Sequence, residues 1–191
     1  MKIRDLRKKT SVQNFSYGRL GWTPGLITLH IAEGSFNGTC DWFSNPKVRA
    51  SAHYVVGLEG EIAQCVDISD TAYVNGTVTK NPDDDRYFKK ATNPIVKQRC
   101  TNANNYSIGI EFAGRYDKAA GKCPMTEKQK QAAIDLITSI ILEVKKRWGN
   151  SIPVDRTRIC GHYEVNPITK PFCGKGFPYD EIIKGVISKL N

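Results

Sequence analysis

The sequence is poor in histidine, methionine and tryptophan, with three, two and three residues in 191. No apolar run approaches the roughly 18 residues needed to cross a bilayer, so no membrane-spanning helix is expected. The basic start, MKIRDLRKKT, is not followed by a long apolar stretch and does not read as a Sec signal peptide. The six cysteines, Cys40, Cys65, Cys100, Cys123, Cys160 and Cys173, are scattered and form no CxxC pair. Mostly reduced, partly buried thiols are expected, and if one binds a metal the remaining five cannot all pair. Internal repeats and low-complexity linkers are absent. So are zinc-finger, basic-zipper and aromatic-rich RNA-binding motifs, which argues against specific nucleic-acid recognition.

What is present is ordinary globular material: 40% hydrophobic and 25% charged residues, enough for one domain with a substantial core. The formal net charge is +9, from 28 basic and 19 acidic residues. Such a balance favours polyanionic surroundings. Within the first 20 residues, Lys2, Arg4, Arg7, Lys8, Lys9 and Arg19 stand against Asp5 alone. This segment is either a solvated basic arm or a means of attraction to anionic cell-wall polymers or a membrane surface.

Residues 1–25 read as an irregular arm ending in the turn signal Thr23-Pro24-Gly25, and residues 26–191 as the domain proper. Strands are expected at Leu26 to Ala32, Ser51 to Val56, Glu61 to Val66 and Tyr106 to Ala113, the middle two as a hairpin. Gly34-Ser35 and Asn37-Gly38 mark a loop. Residues 76 to 105 read as a long polar loop with two Asn-Pro pairs and the run Asp83, Asp84, Asp85. Thr126 to Trp148 is the main helix, with a capping box to Gln129, a stop at Gly149, and Ile134, Ile137, Ile141 and Val144 as its buried stripe. A short strand at Arg158 to Cys160 and a helix from Pro178 to Leu190, with Ile182, Ile183, Val186 and Ile187 inward, complete the pattern. The order predicts an α/β fold, a central mixed β-sheet flanked by α-helices in a single domain.

The three histidines, His30, His53 and His162, all lie in or beside ordered segments. A lone histidine is more often a hydrogen-bonded structural residue than a ligand. His30, however, occupies the less apolar face of its strand, and His162 ends a strand where loops carry function. Cys173 follows His162 by eleven residues. His30, His162 and Cys173 would make the three-ligand zinc site of a hydrolase, with one position open for water; spacing alone supports this weakly. Glu111 shares a strand face with Ser107 and Gly109, opposite Ile108, Ile110 and Phe112. It is either a surface glutamate or a general acid/base beside the metal. Gly109 would leave room for substrate.

The segments LITLHIAEGS, SAHYVV, NNYSIGIEFAG and GHYEVNPITKPFC occur in this order in the chain. That succession resembles the type 2 N-acetylmuramoyl-L-alanine amidases, a group that includes phage endolysins, recycling amidases and peptidoglycan recognition proteins. The resemblance spans roughly Leu26 to Cys173. It implies one Zn2+ per chain on His30, His162 and Cys173, proton transfer by Glu111, and oxyanion stabilisation by Lys170. Its tyrosine-using branch is not matched, because Ala52 stands at the corresponding position. His53 is implied as a residue that supports the metal ligands from behind or faces substrate, with structural packing an equal alternative, and Asn104 is expected as a substrate contact. The segment Ala72-Tyr73-Val74-Asn75-Gly76 lacks a histidine that many relatives carry. The implied activity is hydrolysis of the amide between N-acetylmuramic acid and L-alanine in peptidoglycan by a monomeric endolysin. That enzyme would be made in the cytoplasm and act on the wall after holin-type release. A peptidoglycan-binding module without catalysis and a cytoplasmic recycling amidase are the alternatives.

Overall fold

Two aliphatic runs form the centre of the molecule because every residue in them can be buried or paired. The computed structural model describes residues 2–77 and 88–191. In chain order its elements are β1 (Ile3–Asp5), β2 (Phe15–Ser16), β3 (Leu26–Ile31), α1 (Phe36–Ser44), β4 (Tyr54–Val56), β5 (Ile62–Gln64), β6 (Thr71–Ala72) and α2 (Pro94–Arg99). There follow β7 (Ser107–Phe112), α3 (Glu127–Trp148), β8 (Ile159–Gly161), α4 (His162–Val165) and α5 (Tyr179–Leu190). Six strands make one sheet in the order β1-β5-β4-β7-β3-β8, and β2 pairs with β6 in a small second sheet. Among the described residues, the β4–β5 hairpin of the main sheet is antiparallel and its other strand pairs are parallel. The expected mixed α/β sheet flanked by helices is therefore the observed architecture.

One face of the sheet carries Ile27, Leu29, Ile31, Ile108, Ile110 and Phe112 against α3 and α5. The four expected stripe residues of α3 are all buried there. Thr126 and Gln129 close the capping box, and Gly149, at φ +74°, ends the helix, a cap arrangement worth about 1 kcal/mol. In α5, Ile182 and Val186 are buried, but Ile187 is 42% exposed and faces outward, contrary to expectation. The other face of the sheet packs Val55, Ala63 and Cys65 against Cys40 and Phe43 of α1.

Three sequence expectations need correction. The first 25 residues are not an irregular arm. β1 runs parallel to β5 at the sheet edge, Leu6 is buried, and Arg19 is only 4% exposed. Hydrogen-bonding to the sheet offsets the poor strand character of a segment so rich in charge. The supposed loop after Ser35 is α1, because Ser35 caps it by accepting from Gly38 N–H and Thr39, Cys40 and Phe43 bury its inner side. In the presumed long loop, Asn93-Pro94 starts α2: the Asn93 side chain accepts from Ile95 and Val96 N–H, and Pro94 takes the first turn. Asp83, Asp84 and Asp85 lie outside the described residues.

Candidate metal centre and its groove

Parallel pairing of β3 with β7 sets His30 directly opposite Glu111. Both project from the face opposite the α3 core. β8 flanks β3 on its other side, and the chain turns from Gly161 straight into α4, so His162 arrives beside His30. Glu164 holds that turn: its carboxylate accepts from Gly161 N–H at 2.7 Å and from Arg156 Nη2 at 2.9 Å. Cys173 comes from the following loop. Gly174, at φ +84°, lets that loop close on β3; a Cβ there would stand 2.6 Å from the Leu29 carbonyl oxygen.

The Nδ1 atoms of His30 and His162 lie 2.9 Å apart, and His30, His162 and Cys173 each offer a ligand atom within 4.8 Å of the others. His162 Nε2 contacts the Asn75 carbonyl oxygen at 2.9 Å. A carbonyl only accepts, so Nε2 carries the hydrogen and Nδ1 the lone pair. Thr28 Oγ1 lies 3.0 Å from His30 Nε2 and serves that ring in the same way when it accepts. Two imidazole nitrogens oriented by outer hydrogen bonds, plus one sulfur, are the donor set that zinc takes. The residues present fit such an ion.

Burial, reinforced by the charges of His162 and Lys170, pushes the His30 pKa well below its ordinary value. Burial also lowers His162 to about 4, with the Lys170 charge acting in the same sense. Glu111 is pushed up to about 7 by burial, against the pull of Lys170. Its Oε1 is 3.9 Å from His30 Nδ1, and its Oε2 is buried without a hydrogen-bond partner among the described residues. Burial raises the Cys173 thiol, with the Glu111 charge adding to it, so a thiolate there calls for a cation.

His162, Cys173, Glu111 and Lys170 line a groove of about 430 Å³ together with Trp42 and Tyr73. Lys170 is exposed on the loop that carries Cys173. The structure thus brings together His30, His162, Cys173, Glu111 and Lys170. It does not bring His53 or Asn104 into the groove. His53 is fully buried, and its Nδ1 accepts from Gly109 N–H at 3.0 Å. Its Nε2 lies 3.2 Å from the Asp70 carbonyl oxygen and 2.8 Å from Arg19 Nη2. Asn104 Oδ1 accepts from Asn75 N–H at 2.8 Å. Both side chains brace the backbone. Nor does Gly109 leave space for substrate: a Cβ there would stand 2.7 Å from the methyl groups of Val74, which fills the gap. Asn75 and Thr28, which orient the two imidazoles, were not singled out from sequence. Asn75 acts through its peptide oxygen, which no side-chain pattern reveals.

The family model described as N-acetylmuramoyl-L-alanine amidase matches residues 21–173. N-acetylmuramoyl-L-alanine amidase A of Achromobacter lyticus is 31% identical over 90 residues, 47% of this chain. The match spans 37% of that protein's length. Among solved structures, an AmpD derivative has a TM-score of 0.66 at 20% identity, over 96% of this chain and 94% of that one. The catalytic domain of XlyA gives 0.61 at 17% identity, over 97% and 99%. The endolysin amidase LysCS of Clostridium intestinale gives 0.56 at 17% identity, over 100% and 95%. These likenesses establish a shared fold. The family match covers most of the chain, including every residue gathered around the groove, and on that ground the chain belongs to the N-acetylmuramoyl-L-alanine amidase family.

Proposed function

We propose that this chain hydrolyses the amide between N-acetylmuramic acid and L-alanine in peptidoglycan, using one zinc ion, and that it acts as a wall-lysing enzyme of the endolysin kind. The observation that carries the reading is the convergence of His30 Nδ1, His162 Nδ1 and Cys173 Sγ beside Glu111 in one groove. His30, His162 and Cys173 would hold the ion. A zinc ion bound there supplies Lewis acidity toward a carbonyl and acidifies water.

Glu111 removes the proton from the attacking water at its carboxylate oxygens and passes it to the departing L-alanine nitrogen. A group that both takes and returns a proton works best with a pKa moved toward the working pH, and burial shifts Glu111 in that direction. Lys170 donates N–H toward the carbonyl oxygen as negative charge gathers on it. Trp42 and Tyr73 form the groove wall against which the substrate lies. The endolysin role is supported by the fold shared with the endolysin amidase LysCS and by the net charge of +9, which suits an anionic wall. In this reading the protein is made in the cytoplasm and reaches the wall after release.

Mass spectrometry of digested, purified peptidoglycan tests the bond. Stem peptides with a free L-alanine amine are expected. A new reducing sugar end, or no product from a chain carrying one zinc, would refute the assignment.

A further inference from the structure

We infer that Asn166 is a positioning residue: through the backbone carbonyl of Asn75 it holds the His162 ring in the tautomer whose bare Nδ1 faces His30 and Cys173. This rests on the reading of those three residues as the metal ligands. Asn166 is 2% exposed and joins three separate pieces of the site. Its backbone N–H closes α4 on the His162 carbonyl oxygen at 2.8 Å. Its side-chain amide donates to the Gly76 carbonyl at 2.9 Å and to that of Asn75 at 3.4 Å. Its Oδ1 accepts from Thr169 N–H at 3.2 Å, and its own carbonyl accepts from Lys170 N–H at 3.1 Å. One residue therefore ties the helix bearing His162, the peptide that His162 leans on, and the turn bearing Lys170.

Asn75 is held at its other backbone group and at its side chain as well. Its N–H donates to Asn104 Oδ1 at 2.8 Å, and its side chain donates to Ser107 Oγ at 2.7 Å. The carbonyl between these braces faces His162 Nε2 at 2.9 Å. Should it swing away, the ring loses the acceptor that keeps its hydrogen on Nε2. A hydrogen on Nδ1 would then occupy the lone pair needed for a metal. A residue that merely capped α4 would fix the main chain of His162 and leave its ring free to change tautomer. Asn166 has the donor for the two carbonyls and the acceptor for Thr169 N–H. Aspartate keeps only the acceptor, and alanine keeps neither.

The test uses the full chain with Asn166→Asp and Asn166→Ala. Zinc affinity is read by competition with a fluorescent chelator, the His162 tautomer by long-range proton–nitrogen NMR of the imidazoles, and folding by thermal unfolding of the zinc-free protein. Wild type is expected to show His162 as the Nε2–H tautomer without zinc. Both variants are expected to mix tautomers and bind zinc about 10–100-fold more weakly, the range for lost outer partners of a ligating imidazole. A folded variant whose zinc affinity lies within twofold of wild type overturns the inference. So does an Nδ1–H tautomer of His162 in zinc-free wild type, a measurement that survives misfolding of the variants. A wild type that takes up no zinc, yet loses the Nε2–H tautomer in the variants, refutes the metal reading and leaves the positioning role standing.

Discussion

Glu111 stands directly across the β3–β7 ladder from His30, with its Oε1 3.9 Å from His30 Nδ1. The register of two parallel strands thus delivers a carboxylate to the flank of the candidate metal centre. Glu111→Gln keeps the shape and removes the base. Turnover on purified wall is expected to fall roughly 100-fold or more while zinc content stays at the wild-type level. Lysis at the wild-type rate would remove Glu111 from the proton path.

Lys170 reaches the groove from an exposed turn, so its loss should not disturb the core. For Lys170→Met a fall in kcat of roughly 100-fold is expected, with KM and zinc content little changed. A change confined to KM would make Lys170 a substrate anchor instead.

His53 predicts a pH dependence of stability. Burial first, and the Arg19 charge second, lower its pKa from 6.5 to about 3. Above pH 6.5 the ring is neutral in the folded and unfolded chains alike, and stability is fully retained. Below 6.5 the unfolded chain takes up a proton that the folded one refuses, so stability falls until about pH 3. The slope from this residue approaches about 1.4 kcal/mol per pH unit in that window. Urea unfolding of zinc-free protein between pH 7.5 and 5 should show the decline, and His53→Asn should make it shallower. Equal slopes would place the acid sensitivity elsewhere.

Arg19 donates to the carbonyls of Ile68, Asn105 and Ser107 at 2.6, 3.1 and 3.0 Å. Arg19→Met leaves these buried acceptors unpaired and is expected to cost about 3 kcal/mol or more in urea unfolding. Deleting residues 1–20 removes β1 and Arg19 together, and a large loss of stability is expected from it. A loss below about 1 kcal/mol in the point variant would mean that water replaces the guanidinium.

The role of charge is better tested at Lys8 and Lys9, which are exposed on the turn after β1. The double variant Lys8→Glu, Lys9→Glu should lyse walls more slowly at low ionic strength, with the difference shrinking as salt screens the charges. A salt-independent deficit would point to altered folding, and none at all would leave these lysines without a part in wall attraction.

Much of the fold was legible because its signals are local. The alternation in Leu26–Ile31 and Ser107–Phe112, the stripe of α3 and the Thr126 capping box all lie within a few residues of one another. β1 and α1 were missed for the opposite reason. Arg4 and Asp5 join a sheet only because β5 offers an edge, and α1 contains Asn37 and Gly38, poor helix formers outweighed by the burial of Cys40 and Phe43.

The sequence by itself determined which side chains offer imidazole, thiol, carboxylate and ammonium groups, and through motif resemblance it led us to expect His30, Glu111, His162, Lys170 and Cys173 in one site. Only the tertiary structure decided how they meet. The two imidazoles are separated by 132 positions, and the parallel order β7-β3-β8 brings them together. It also decided that His53 and Asn104 brace the backbone, because each points into a neighbouring segment whose N–H needs an acceptor. Side-chain chemistry is written residue by residue, but the choice between holding a ligand and satisfying a buried peptide depends on which backbone lies opposite.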